Sequence, residues 1–206
     1  MGNIVKAEVK VVGTRPLLQH RFTPDALPLE KQEKTGVAGN DPENWRKTCI
    51  VDKTGQLFLD PSYVFAALRE GGKNIKRGRG SIFKLVASTL QVTDNKVMID
   101  RFYPGWPSKE VFDVDSVEPC DSDQDQPVYL DVRGVVNPST KARNVRYRLA
   151  CSPGWKIAFN ILWDKTVVSR NEMESCVIEA GRLVGLANGR AIGMGRFEIE
   201  SFTAVE

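Results

Sequence analysis

The segment 156–202 constrains the fold more than any other part of the chain, because it spells strand, capped helix, glycine-rich turn and strand in that order. Ile157, Phe159 and Ile161 alternate with other residues, which predicts a half-buried strand over 156–162. Ser169-Arg170-Asn171-Glu172 matches the S-x-x-E capping box, whose two side chains satisfy amides left bare by the first helical turn. Met173, Cys176, Val177, Ala180, Leu183 and Val184 then recur on one helical face, and Gly185 or Gly189 supplies the stop. The closing strand places Phe197 and Ile199 on one side and Arg196, Glu198 and Glu200 on the other. Between helix and strand lies NGRAIGMGRF. A dinucleotide-binding glycine motif follows a strand and opens a helix, whereas these glycines do the reverse, and no Gly-Lys-Ser/Thr ending marks a P-loop. No cofactor is therefore expected. Two readings stay open: the glycines only turn the chain, or they also let a nucleic-acid backbone lie against Gly193 and Gly195, flanked by Arg182, Arg190 and Arg196.

The rest of the chain reads as more strands with fewer helices. Val5, Ala7, Val9 and Val11 alternate with Lys6, Glu8 and Lys10, a half-buried strand. Residues 13–44 carry four prolines and several glycines, a long irregular connection. A short strand at 56–59 ends at Asp60-Pro61, which caps a helix over 62–69 that Gly71-Gly72 breaks. A second helix is expected over 81–90, with the basic KRGRGS loop at its N-terminus, then strands at 97–102, 128–136 and 143–151. That order predicts an α+β fold: a ferredoxin-like, RRM-like antiparallel sheet with helices on one face and inserted loops. We expect one domain over 1–206 with insertions at about 13–55 and 104–126.

A net charge of +3 hides strong segregation. Residues 73–84 hold five positive charges and no acid, residues 132–148 hold another five and no acid, and residues 110–125 hold seven acids and no base. Such a pattern suits a surface that attracts a polyanion. The glycines at 78 and 80 expose amides beside Lys73, Lys76, Arg77 and Arg79, a phosphate-binding arrangement if they open a helix. Near the turn at 137–139, Lys141, Arg143, Arg146 and Arg148 surround a strand on which Arg146 and Arg148 share one face and Val145 and Tyr147 the other. A solvated basic surface is the plain alternative for both clusters. The acidic stretch reads as a solvated insert rather than a metal site.

Cys49, Cys120, Cys151 and Cys176 are scattered without a metal-ligand spacing, and His20 is the single histidine, so reduced thiols, a cytoplasmic location and no metal are expected. No apolar run approaches the roughly 20 residues of a membrane span. His20 lies beside Arg15 and Arg21 and is a weak candidate for a general base, since a lone histidine is more often structural than catalytic.

Gly185, Gly193, Met194, Gly195 and Phe197, placed between a helix and the last strand, resemble the glycine-rich signature of the RAMP superfamily of CRISPR-associated proteins. The opening strand with its long connection is similar to the backbone-forming branch. The resemblance implies a ferredoxin-like fold and non-catalytic binding of single-stranded RNA, favoured over DNA, with self-assembly or membership of a multi-subunit ribonucleoprotein. It also implies rivals: a metal-independent endoribonuclease using His20, or a phage relative that binds or anneals single-stranded DNA. A structural assembly protein is the remaining alternative.

Overall fold

A computed structural model describes residues 2–21, 44–108, 126–136, 139, 141 and 143–205. In chain order the strands are β1 (Ile4–Gly13), β2 (Leu17–Leu18), β3 (Gln56–Leu59), β4 (Lys76–Arg77), β5 (Gly80–Ser81), β6 (Gln91–Val92), β7 (Val97–Phe102), β8 (Val128–Val136), β9 (Arg143–Cys151), β10 (Lys156–Asp164) and β11 (Phe197–Val205). The helices are α1 (Asn44–Thr48), α2 (Pro61–Gly71), α3 (Phe83–Thr89) and α4 (Arg170–Glu179).

Strand β1 is central because its alternating Val5, Ala7, Val9 and Val11 are all buried while its lysines face outward. It pairs antiparallel with β10 on one side, from Ile4↔Asp164 to Val12↔Lys156, and with β11 on the other. The sheet runs β11-β1-β10-β7-β3, with β6 pairing the later part of β10. Taken without the inserted pieces, β1–α2–β7–β10–α4–β11 is a split βαβ arrangement with its last strand beside its first. The fold is α+β and ferredoxin-like.

Both main helices begin as the sequence predicts. The Asp60 carboxylate accepts the Ser62 amide with Pro61 in the first turn, and both halves of the Ser169–Glu172 capping box are present. Val64, Ala67 and Leu68 of α2 and Met173, Cys176 and Val177 of α4 join the sheet residues Val9, Phe159 and Trp163 in one buried cluster. Gly71 does not break α2 but belongs to it, and Gly72 caps it. A side chain at Gly71 would be driven into the Cys176 carbonyl, so the glycine is what lets the two helices pack together. After α4 a π-helical turn, Ala180–Val184, ends at Gly185, whose amide donates to Ala180 O at 2.7 Å.

The inserted pieces build a second sheet, β2-β9-β8. One face, with Leu130, Val132 and Leu149, packs into the common core. The first expected insertion contributes β2 and α1, with 22–43 outside the described residues; the second lies outside them over 109–125, as do the acidic stretch and Cys120. The second helix is corrected. Residues 76–81 fold into the small hairpin β4–β5 around a turn at Gly78, whose φ is 60°, and α3 starts only at Phe83. Glycine at a positive φ turns the strand back before a helix can begin. Among the described residues no helix is long and apolar enough to cross a membrane.

Gly193 and Gly195 have φ of 83° and 68°, but their surroundings differ. A Cβ on Gly193 meets nothing within 4 Å, whereas one on Gly195 would be driven into the backbone of Leu186. Gly193→Ala is therefore expected to cost only the left-handed penalty of about 1 kcal/mol. Gly195→Ala should lower the urea unfolding free energy by roughly twice that or more, since the clash adds to the backbone strain. Equal losses for the two variants would refute this.

Candidate functional site

The hairpin β8–β9 alternates, so its two faces differ in chemistry. Opposite the core face, register places Tyr129 across from Ala150, Asp131 across from Arg148, and Arg133 across from Arg146. Leu18 of β2 pairs with Ala150 at the inner end, where Leu18, Tyr129 and Ala150 form a small apolar cluster covered by Met194. The outer end carries charge. The Arg133 Nε donates to both Asp131 oxygens, at 2.7 and 2.9 Å, and so occupies the carboxylate that Arg148 faces.

Arg148 is 8% exposed and forms no ion pair among the described residues; its Nε is buried with no hydrogen-bond partner. Burial pulls its pKa below the usual arginine range, against the pull of Asp131. Beside it, the Tyr129 hydroxyl is also buried without a partner, and burial, then Asp131, pushes it up to about 12. Arg133 and Arg146, like charges directly opposite, repel. Three guanidinium groups thus share one carboxylate, and buried charges are ordinarily paired.

His20 adjoins this face. Gln19, fully buried, donates from Nε2 to Phe58 O at 3.1 Å and accepts the Ile50 amide at 2.8 Å, and the Tyr63 hydroxyl donates to His20 O at 2.9 Å. Burial, then Arg148 and Arg146, lowers the His20 pKa, which keeps the imidazole neutral at neutral pH.

The glycine-rich loop docks onto the same segment: Gly195 donates its amide to Pro16 O at 2.8 Å and Asn188 to Leu18 O at 3.1 Å. The close backbone approach at Gly185 and Gly195 is made by the protein itself, since Met194 O fills the space beside Gly185 and Leu186 that beside Gly195. Of the two proposed approach points, Gly193 alone faces open space. Arg196 is half-buried; its carbonyl accepts the Thr14 amide at 2.8 Å and its Nη1 is buried unpaired. On the loop's other side Arg190 and Lys73 line one cleft of about 610 Å³.

The remaining predicted residues divide. Lys76 and Arg79 are exposed on the β4–β5 hairpin. Arg77 is not free beside them: its guanidinium grips the Glu172 carboxylate in a two-pronged pair and donates to Val167 O at 2.9 Å. A cluster without acid in sequence finds its acid 95 residues away. Arg143 lies on the opposite face of β9 from Arg146 and Arg148, and Lys141 is exposed near the hairpin's turn. Lys73 pairs with Glu70 at 2.5 Å. Among the described residues no cluster of metal-binding side chains occurs, and Cys151 and Cys176 are buried thiols. Sequence reasoning missed Asp131, Arg133 and Tyr129. The pairing of Val136 with Arg143 places them beside Arg146 and Arg148, a register that the turn signal in the sequence at 137–139 does not give, since centring on it would shift the partners by three residues and onto the other face.

The Arg77 guanidinium, helped by Ser169, holds the Glu172 carboxyl down to about 2 from 4.5. A depressed carboxylate stabilises the fold above its unfolded pKa, and that stabilisation is lost as pH falls through the folded value. Wild type should therefore exceed Glu172→Gln in urea stability near neutral pH, with the gap closing between pH 4.5 and about 2. A gap that does not change with pH would refute the assignment.

Among solved structures, the chain is similar to a chain in the cryo-EM structure of the Type III-B Cmr-beta bound to cognate target RNA, with a TM-score of 0.51 and 12% identity. The match covers 98% of this chain and 61% of that one, so this chain spans less than two thirds of its neighbour's length. At this identity the likeness is one of fold, in keeping with the ferredoxin-like architecture. No protein-family model and no curated protein matches the sequence.

Proposed function

We propose that this chain is a non-catalytic nucleic-acid-binding protein of RAMP-like fold, a single domain over 1–206 that binds single-stranded RNA as a backbone subunit of a ribonucleoprotein. One observation carries the reading: Arg148 is buried, unpaired and flanked by Arg146 and Arg133, an arrangement that a phosphate would complete. Met194 and the open backbone at Gly193 continue the surface inward. Lys76, Arg79 and Lys141 add exposed charge at its margins, and Arg143 adds charge on the reverse face of β9. The fold's likeness to a chain solved with target RNA supports RNA as the polyanion.

Arg148→Met separates binding from folding. Removing an unpaired buried charge should raise stability by about 1 kcal/mol or more. The same change should weaken single-stranded RNA binding by about tenfold, the order of one charge-assisted hydrogen bond. Fluorescence anisotropy and urea denaturation read the two effects, and RNA affinity equal to wild type would sink the proposal. Lys76→Gln/Arg79→Gln should flatten the dependence of log affinity on log salt by about 0.7 for each phosphate that the variant no longer neutralises. An unchanged slope would remove that hairpin from the interface.

A second reading is favoured by the neutral His20 beside Arg146 and Arg148. A metal-independent endoribonuclease needs such an uncharged base next to cations that hold the scissile phosphate. RNA left intact by the wild type in a chelator, or cleaved as well by His20→Ala, eliminates it.

A further inference from the structure

The cleft between the end of α2 and the glycine-rich loop is separate from the hairpin face, and its walls differ in kind. Its volume of about 610 Å³ falls within the roughly 300–1,000 Å³ of small-ligand sites. On one side the Arg69 guanidinium carbon stands 5.3 Å from the centre of the half-buried Phe83 ring. An aromatic backing holds a guanidinium plane in place, and its outer side is a surface on which a flat ring stacks. Leu183, 55% exposed, and Val184 form an apolar wall. The amides of Asn74 and Asn188 line the same cleft, each carrying two donors and an acceptor.

Charge in the cleft is unevenly distributed. Glu70 pairs with both Arg69 and Lys73, at 3.3 and 2.5 Å, which offsets the positive charge at that end. The C-terminus of α2 also ends there, and its carbonyls disfavour an anion while suiting the amino edge of a base. Across the cleft Arg190 has no ion pair among the described residues. A ligand that fits is therefore flat and rich in hydrogen-bonding groups at one end, and anionic at the other.

We propose that this cleft binds one nucleoside 5′-monophosphate unit, with its base stacked on Arg69 against Leu183, its edge read by Asn74 and Asn188, and its phosphate toward Arg190. The unit comes either from a bound single strand or from a free mononucleotide. The proposal rests on the RNA-binding reading only for the first of these sources.

Two titrations of the whole chain test it, on wild type, Leu183→Asp and Arg69→Lys. In the first, the four ribonucleoside 5′-monophosphates are added while amide chemical shifts are followed; in the second, a single-stranded RNA oligonucleotide is followed by anisotropy. Saturable shifts at Asn188 and Arg190 in the wild type are expected, abolished by Leu183→Asp. Arg69→Lys keeps the charge and loses the plane, and should weaken binding about fivefold or more, the low end of base stacking. Leu183 is exposed, so its replacement leaves the core intact, which a thermal melt checks. RNA affinity that falls in both variants assigns the nucleotide to a strand; mononucleotide binding without RNA binding upholds the cleft and removes the RNA reading. No saturable mononucleotide binding, with RNA affinity unchanged in both variants, overturns the cleft while leaving the Arg148 result to stand or fall separately.

Discussion

The contact of the glycine-rich loop with the segment after β1 is the constraint on which the rest of the molecule depends. Gly195 gives its amide to Pro16 and its flank to Leu186, and no side chain fits between them. Through that contact the end of α4, the start of β11 and the second sheet are held in one arrangement. The apolar inner end of the hairpin face exists because Met194 is pressed onto Leu18 and Tyr129. The cleft exists because Asn188–Ala191 are carried past the end of α2. A loop whose glycines serve internal packing thus defines two separate surfaces without itself having to grip a ligand along its length.

Charge is arranged on a different principle from packing. In sequence the basic runs look alike; in space they are three different things. Arg77 is engaged in a tie between a small hairpin and the first turn of α4, where Glu172 already serves the capping box. Lys73 is partly neutralised by Glu70. Arg148 is buried with its Nε unpaired, and the cost of keeping it so is the kind of local strain that folds retain at working surfaces.

Much of the architecture was legible because it rests on local rules. The alternation in β1, β8, β9 and β10 and the capping box before α4 each name their element without reference to anything distant. The ferredoxin-like order follows from those elements and the limited ways of pairing them. What sequence could not supply was long-range. The Arg77–Glu172 pair, the closeness of His20 to Arg146 and Arg148, and the packing at Gly71 all join residues whose separation along the chain carries no signal. The β4–β5 hairpin reads in sequence as a helix start because glycine beside basic residues suits both, and only the pairing Lys76↔Ser81 decides.

The opposed faces of β9 carry a further consequence for how such a chain can change over generations. Leu149 and Tyr147 face the interior while Arg148 and Arg146 face away, so position parity, not residue type, separates core from surface. Substitutions along this strand are graded in their effects, but a single-residue insertion inside it would turn the arginines inward and the leucine outward at once. The strand should therefore tolerate drift in composition far better than drift in length.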